Sequence, residues 1–188
     1  MSPVPPQTIV LVEGASDRAA VEVLALRRSR NLANEGIAVV SMGGATNIGH
    51  YLRRLGPEGD NVRLAGLCDV GEERKFRHGL EQAGIGSNLT RESMESLGFF
   101  VCVLDLEDEM IRSLGPGAVE GVIEAQREMG SFRIFQRQPA QRERSTEAQL
   151  RRFLGTHSGR KITYGALLAE ALDLERVPRP LDALLAYI

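Results

Sequence analysis

The chain has 188 residues, of which 43% are hydrophobic and 26% charged, and its formal net charge is −2. This length favours one domain with a small appendage, and the composition is typical of a soluble globular protein that needs no disulfide framework. No apolar run approaches the roughly 18 residues that a spanning helix needs, and the N-terminus shows no signal peptide. We therefore predict a cytoplasmic protein without membrane segments, and the near-zero net charge gives no signal for nucleic acid from the chain as a whole.

Apolar runs alternate with helical patterns along residues 8–115. Four runs are predicted as buried strands: TIVLVE, GIAVVSM, NVRLAGLCD and GFFVCVLD. A helix is predicted after the first run, a glycine turn and a helix after the second, and a helix after the fourth. The charged stretch VGEERKFRHGLEQAGIG, after the third run, is predicted to be mobile. This alternation predicts an α/β fold in which a four-stranded parallel sheet carries helices on both faces.

The pattern changes after a further predicted helix, PGAVEGVIEAQREMG, because basic loops and short helices replace the strands. We divide the chain into a flexible, proline-containing lead-in at residues 1–7, an α/β core at 8–130 and a C-terminal extension at 131–188. The extension is predicted to pack on the core.

Basic side chains concentrate in residues 132–161, where eight basic residues stand against two acidic ones. Such an excess indicates an anionic partner, and arginine pairs well with phosphate, although a solvated surface is the alternative. The candidate nucleic-acid contacts are Arg133, Arg137, Arg151, Arg152 and Arg160. Phenylalanines 132, 135 and 153 lie among them, and core packing is favoured over base stacking for these rings.

Acidic residues follow three of the predicted strands at their carboxyl ends. They are Glu13 and Asp17 after the first strand, Asp69 after the third, and Asp105 and Glu107 after the fourth. Parallel strands end at one edge of a sheet, so these carboxylates are expected to converge and to repel one another unless a cation neutralises them. Hard oxygen donors favour Mg²⁺ or Mn²⁺ over zinc. The alternative is that Asp17 and Asp105 only cap helices.

The motifs LVEGASD, MGGATN, LAGLCD and VLDLEDEM together resemble the TOPRIM domain, most closely that of the OLD (overcoming lysogenization defect) nucleases. The likeness covers residues 8–110 and extends more weakly to residue 161. It implies a Rossmann-like fold that binds Mg²⁺ and acts on nucleic acid, with DNA as the expected substrate.

The resemblance also implies roles for individual residues. Glu13 would serve the metal or act as acid or base, and Asp17 and Asp69 would bind metal. Glu107, with Asp105 nearby, matches an acidic position after the fourth strand, and Lys161 is the candidate for a lysine near the scissile phosphate.

Two departures from the family pattern are visible. The family has Asp-x-Asp after the third strand, but the second position here is Gly71, so Glu72 or Glu73 would have to replace its carboxylate. OLD nucleases carry an ATPase domain ahead of this one, whereas this sequence has no GxxxxGK[ST] loop and hence no ATP site. We expect a stand-alone TOPRIM domain, with a separately encoded ATPase as a possible partner.

The sequence therefore predicts a Mg²⁺- or Mn²⁺-dependent DNA endonuclease of the TOPRIM/OLD type. Two alternatives stay open. One is a non-catalytic module that binds nucleic acid or a partner protein, and the other is a TOPRIM nucleotidyltransferase or RNA-processing enzyme. The oligomeric state is not determined by any of these observations.

Overall fold

The computed structural model describes residues 6–155 and 158–188, so most of the predicted lead-in lies outside the described residues. A parallel sheet of four strands forms the centre of the fold, in the order β2-β1-β3-β4. The strands are β1 (Thr8–Val12), β2 (Ile37–Ser41), β3 (Arg63–Asp69) and β4 (Phe99–Cys102). This arrangement confirms the predicted sheet.

The central strand β1 is buried at every position, as its uninterrupted apolar sequence predicts. Because successive side chains point to opposite faces, Val10 and Val12 enter one hydrophobic core and Ile9 and Leu11 enter another. The sheet is therefore covered on both sides. Its carboxyl edge stays accessible between the two layers of helices.

Ten helices surround the sheet in the described part of the chain. On the face of Ile9 lie α2 (Ile48–Leu55), α3 (Glu73–Gln82) and α4 (Arg91–Ser96). On the face of Val10 lie α1 (Ala15–Arg27), α5 (Leu106–Leu114), α6 (Pro116–Ala125), α7 (Met129–Gln136), α8 (Thr146–Leu154), α9 (Ser158–Ala171) and α10 (Arg179–Tyr187). The predicted fold class, with helices on both faces and a helical C-terminal part, is confirmed. Among the described residues, no helix combines the length and apolarity needed to cross a bilayer.

The stretch predicted to be mobile after β3 is instead helical, since it contains α3. Phe76 and Leu80 lie four residues apart on one face of this helix and are almost fully buried. The surrounding charges obscured this short apolar stripe. Helix α4 was also not predicted, because it has only six residues and one buried side chain, Met94.

The C-terminal helices share the core on the Val10 face, to which they contribute Phe132, Leu150, Leu168 and Leu184. Helix α9 packs along α1 at unusually close range. A Cβ atom at Gly165 would lie 2.8 Å from the carbonyl oxygen of Ser16, so only glycine permits this approach without a shift. The close packing brings the start of α9 to the carboxyl edge of the sheet.

Candidate active site

The ends of the two central strands are joined by a side chain. Glu13 follows β1, and its Oε1 accepts a hydrogen bond of 2.9 Å from the backbone N–H of Asp69, the last residue of β3. Strands β1 and β3 are hydrogen-bonded neighbours in the sheet. Their ends therefore bring Glu13 and Asp69 together, as expected for a parallel sheet.

Asp17 returns to the same edge from the first turn of α1. Its Oδ2 accepts a hydrogen bond of 2.8 Å from the backbone N–H of Gly14, which is the N-cap residue of the helix. The sequence suggested Ser16 or Asp17 as the cap, but Asp17 supports the cap from the third helical position. This local bond holds the carboxylate near the other acids, where the charge of Glu13 raises the pKa of Asp17 and the charge of Asp17 raises the pKa of Asp69.

Glu107 reaches the cluster from the first turn of α5 and is 4% exposed. Its Oε1 accepts a hydrogen bond of 3.0 Å from the Ser16 hydroxyl and lies 3.4 Å from Nζ of Lys161. Lys161 stands four residues before Gly165 on α9, so both lie on the same side of that helix. The close packing of α9 on α1 thus delivers the lysine to Glu107.

Asp105 has partners at both of its oxygens. Oδ1 accepts a hydrogen bond of 2.8 Å from the N–H of Asp108 and so caps α5, an interaction that stabilises a helix by about 1 kcal/mol. Oδ2 accepts bonds from Nε and Nη2 of Arg151, at 2.6 Å and 2.5 Å. The capping alternative therefore describes Asp105 well.

The loop after β3 distinguishes the two glutamates that were candidates to replace the missing aspartate. Glu73 forms an ion pair with Arg91, whereas Glu72 pairs with Lys75 and its charge raises the pKa of Glu13. Glu72 is therefore the nearer of the two to the acidic cluster. A Cβ atom added to Gly71 would meet nothing within 4 Å, so this position has room for a side chain.

Lys75 is a site neighbour that the sequence analysis missed. Its positive charge and that of Lys161 both lower the pKa of Glu13. They are the only two lysines in a chain whose other cationic side chains are arginines. That scarcity distinguishes both residues in the sequence, because an ammonium is a compact point charge whereas a guanidinium is a broad planar one.

The acidic cluster is electrostatically unfavourable in the absence of a cation. Burial, reinforced by the charges of Glu13 and Asp17, raises the pKa of Asp69 to about 8. Burial likewise raises the pKa values of Glu13, Asp17 and Glu107, and the positive charge of Lys161 only partly opposes these shifts. Burial opposes the charge of Lys161 itself, but Glu107 and Asp17 raise its pKa. The lysine therefore remains protonated beside the acids.

The donors present suit Mg²⁺ or Mn²⁺ in chemical type, because all are carboxylate oxygens. Within residues 6–155 and 158–188, no three His, Cys, Asp or Glu side chains are already grouped closely enough to hold an ion. The oxygens are instead held by local donors, such as the Asp69 N–H on Glu13 and the Ser16 hydroxyl on Glu107. A cation bound among these oxygens would therefore require some of the side chains to rotate.

A cleft of about 450 Å³ opens beside the cluster. Its walls combine the acidic edge with cations from α8 and α9, and its lining residues are Asp105, Glu107, Phe135, Arg151, Arg152, Gly155 and Lys161. The cleft has the volume of a small-ligand site and is lined by both acidic and basic side chains.

The structure brings only part of the predicted basic set to this cleft. Arg151 and Arg152 line it, whereas Arg133 pairs with Glu120 and Arg160 pairs with Glu128. Arg137 is exposed at the end of α7 and does not line the cleft. Charge composition located the segment, but helix orientation decides which arginines face the site.

The three phenylalanines of the basic segment lie in two different environments. Phe132 and Phe153 are buried in the core, in agreement with the favoured interpretation, and the Arg160 guanidinium lies 4.4 Å from the centre of the Phe153 ring. Phe135 is partly buried and lines the cleft.

The shifted pKa of Asp69 predicts how stability depends on pH. The folded chain holds the carboxyl proton of Asp69 up to a pH of about 8, whereas the unfolded chain releases that proton near the ordinary pKa of 3.8. Since the folded state binds more protons in this interval, the free energy of unfolding of the metal-free protein should fall as pH rises through it. Protons compete with a metal for these oxygens, so Mn²⁺ should raise the melting temperature more at about pH 8 than at about pH 5. Thermal melting in EDTA and in Mn²⁺ measures both effects, and a metal-induced shift independent of pH would argue against the cluster as the binding site.

Part of the sequence matches a known protein family. Residues 7–69, which include Glu13, Asp17 and Asp69, match the family described as "Overcoming lysogenization defect protein-like, TOPRIM domain". A search of curated proteins finds no match.

Solved structures resemble nearly the whole chain. Two structures of the C-terminal region of the Xanthomonas campestris pv. campestris OLD protein are 25% and 26% identical to it, with TM-scores of 0.73 and 0.76. Each similarity covers 97% of this chain, together with 94% and 92% of the respective solved chain. The C-terminal region of the Burkholderia pseudomallei OLD protein shares the fold at 21% identity, with a TM-score of 0.73, over 97% of this chain and 96% of that one. The resemblance inferred from the sequence motifs is confirmed.

Proposed function

We propose that this chain, which carries an OLD-like TOPRIM domain, is a Mg²⁺- or Mn²⁺-dependent nuclease that cleaves phosphodiester bonds in nucleic acid, with DNA as the preferred substrate. One observation carries the proposal. Carboxyl groups from the residue after β1, from α1, from the end of β3 and from α5 lie at the carboxyl edge of the sheet, beside a cleft that Arg151, Arg152 and Lys161 also line. This is the charge distribution that a metal-assisted phosphoryl reaction needs.

The metal-binding role is assigned to Glu13, Asp17, Asp69 and Glu107, with Glu72 as a further donor from the loop after β3. When bound, Mg²⁺ or Mn²⁺ supplies positive charge that polarises a phosphodiester and favours hydroxide over water at the site. Asp17 and Glu107 are preset by hydrogen bonds from Gly14 and Ser16, which limits the rotation that binding requires.

The chain's own groups account for the remaining requirements of the reaction. Lys161 stays protonated next to Glu107 and places a positive charge on the wall of the cleft, where it would stabilise charge that grows on the phosphate oxygens. Glu13 has a raised pKa and borders the site, which suits it to accept or return a proton as well as to bind metal. Arg151 and Arg152 line the path of the phosphate backbone.

The direct test incubates the protein with supercoiled plasmid, linear duplex, single-stranded DNA and RNA, in Mg²⁺, Mn²⁺ or EDTA. The proposal predicts metal-dependent cleavage of DNA that EDTA abolishes. Cleavage of RNA alone would instead favour the RNA-processing alternative, and nucleotide incorporation in a primer-extension assay would favour a nucleotidyltransferase.

A non-catalytic nucleic-acid-binding module is the second candidate, and Gly71 is the observation that favours it. Glycine provides no carboxylate at the second position of the family's Asp-x-Asp pattern, and the neighbouring Glu73 is occupied by Arg91. A domain with one weak metal site would bind nucleic acid without cutting it efficiently.

Restoring the missing carboxylate tests this alternative. Gly71→Asp should strengthen Mn²⁺ binding and increase the cleavage rate. The position tolerates a side chain, because open space surrounds it and its backbone φ lies outside the left-handed region. Roughly tenfold is the expected scale, comparable with the lower range for perturbed metal sites. Calorimetry with Mn²⁺ and initial cleavage rates provide the measurement.

Two variants serve as controls for this gain. Gly71→Asn adds a similar volume without the charge, and Gly117→Asp adds the same charge at another open glycine, in α6. Neither should increase metal affinity. An equal gain in Gly117→Asp would show that the effect is one of net charge and not of coordination.

A further inference from the structure

We infer that Asp105 is a positioning residue and not a metal ligand: it fixes the Arg151 guanidinium on the wall of the cleft, where that group binds the phosphodiester next to the one cleaved. This inference rests on the proposed function. It assigns to the site a built-in phosphate subsite and removes one acid from the set of metal ligands.

The first argument concerns the oxygens of Asp105. Oδ1 is used by the N–H of Asp108 at the start of α5, and Oδ2 is used by two donors of Arg151. Oδ2 already accepts from two donors and Oδ1 from one, so only the second lone pair of Oδ1 is left for a metal. Glu107, two residues later, already extends to Ser16 and Lys161 from the same helical turn.

The second argument concerns the donors that Arg151 retains. A guanidinium has five N–H groups, and the contacts to Asp105 use one on Nε and one on Nη2. Three remain, and the side chain is 42% exposed where it lines the cleft. Because Arg151 lies on α8 beside Arg152, a phosphate entering the cleft meets a planar fork already held in place.

The third argument is energetic. A free arginine loses much side-chain rotational freedom when it binds a ligand, whereas one already tied to a carboxylate has lost that freedom beforehand. The Asp105–Arg151 pair joins the N-terminus of α5 to α8, two elements that pack against each other. The pair therefore links the acidic edge to the wall of the cleft that α8 forms.

An arginine–carboxylate pair elsewhere in the chain offers a matched control. Arg179 binds Glu95 through two N–H donors, at 2.8 Å and 2.6 Å, and connects α10 to α4 outside the cleft. It has the same chemistry as the Asp105–Arg151 pair but a different location.

The first measurement is binding of a labelled DNA duplex in EDTA, as a function of salt concentration. Arg151→Ala should reduce the slope of log affinity against log salt by about one, the value for one lost phosphate contact. Asp105→Asn should weaken binding in wild type but have no further effect in the Arg151→Ala background, since its action passes through Arg151. Arg179→Ala should leave the slope unchanged. An unchanged slope in Arg151→Ala, with melting confirming the fold, overturns the inference.

The second measurement is Mn²⁺ binding by calorimetry. Asparagine also caps helices, so Asp105→Asn should preserve α5. The Mn²⁺ affinity should stay within about threefold of the wild-type value. Loss of a metal ligand would reduce the affinity at least about tenfold, the lower value for changes in the outer shell. A tenfold or larger loss in this variant overturns the inference. Absence of cleavage by the wild-type protein would instead reject the proposed function, and the binding slopes in EDTA would still decide the role of Arg151.

Discussion

Replacing Asp69 by Asn is expected to abolish metal-dependent cleavage while leaving the metal-free protein at least as stable as the wild type. Burial and the charges of Glu13 and Asp17 raise the pKa of Asp69 to about 8, so ionising this residue is unfavourable in the folded chain. Asparagine cannot ionise, so the substitution removes the cost of ionising this position as pH rises towards and above about 8, and it also removes a metal ligand. Loss of outer-shell groups already costs about 10- to 100-fold, so loss of a ligand should exceed about 100-fold in kcat/KM.

Glu13→Gln should behave in the same way, because its oxygen can still accept the hydrogen bond from the Asp69 N–H but no longer carries charge. The measurements are initial cleavage rates and melting temperatures with and without Mn²⁺. Mn²⁺ should raise the melting temperature of the wild-type protein and of neither variant. Asp60→Asn, an exposed aspartate outside the cluster, provides the matched control and should retain both properties. Full activity in Asp69→Asn and Glu13→Gln would reject the assigned metal site.

Replacing Lys161 by Ala is expected to lower kcat by about 100- to 1000-fold, the scale for removing one group that stabilises developing charge. Stability should change far less, by about 1 kcal/mol, because the lysine is 42% exposed and solvent screens its pair with Glu107. The large effect on turnover and the small effect on folding separate a role in the reaction from a role in packing.

Steady-state kinetics and thermal melting of Lys161→Ala measure the two quantities. Lys161→Arg keeps the charge and should recover part of the activity, although the broader guanidinium fits less well between Glu107 and the cleft. Lys75→Ala is the comparison at the chain's other lysine, which pairs with Glu72. If kcat is unchanged and only the melting temperature falls in Lys161→Ala, the lysine has a structural role alone.

The sheet could be predicted from sequence because its signals are local. Strand β1 is an unbroken apolar run, and an acid follows it at the point where the strand ends, so both its burial and the position of Glu13 were visible. The convergence of Asp69 with Glu13 then follows from parallel pairing alone. The helix α3 was not visible because its stripe is short and surrounded by charges.

Features that depend on tertiary packing were beyond sequence reasoning. Gly165 gave no sign that it allows α9 to approach Ser16, yet this contact brings Lys161 to the acidic edge. Arg151 and Arg160 look alike in sequence, but α8 directs the first to the cleft and α9 directs the second to Glu128. Orientation of a helical side chain is set by what the opposite face of the helix buries, and that is a long-range property.

Titration of the wild-type protein with Mn²⁺ in a calorimeter, beside Asp69→Asn under the same conditions, tests the central claim most directly. We predict that the wild-type chain binds at least one Mn²⁺ with release of a proton below about pH 8, because Asp69 holds a proton there that the ion must displace. Asp69→Asn should show little or no binding heat. Equal binding by both proteins, or none by the wild type, would contradict the claim that the strand-end acids form a metal centre.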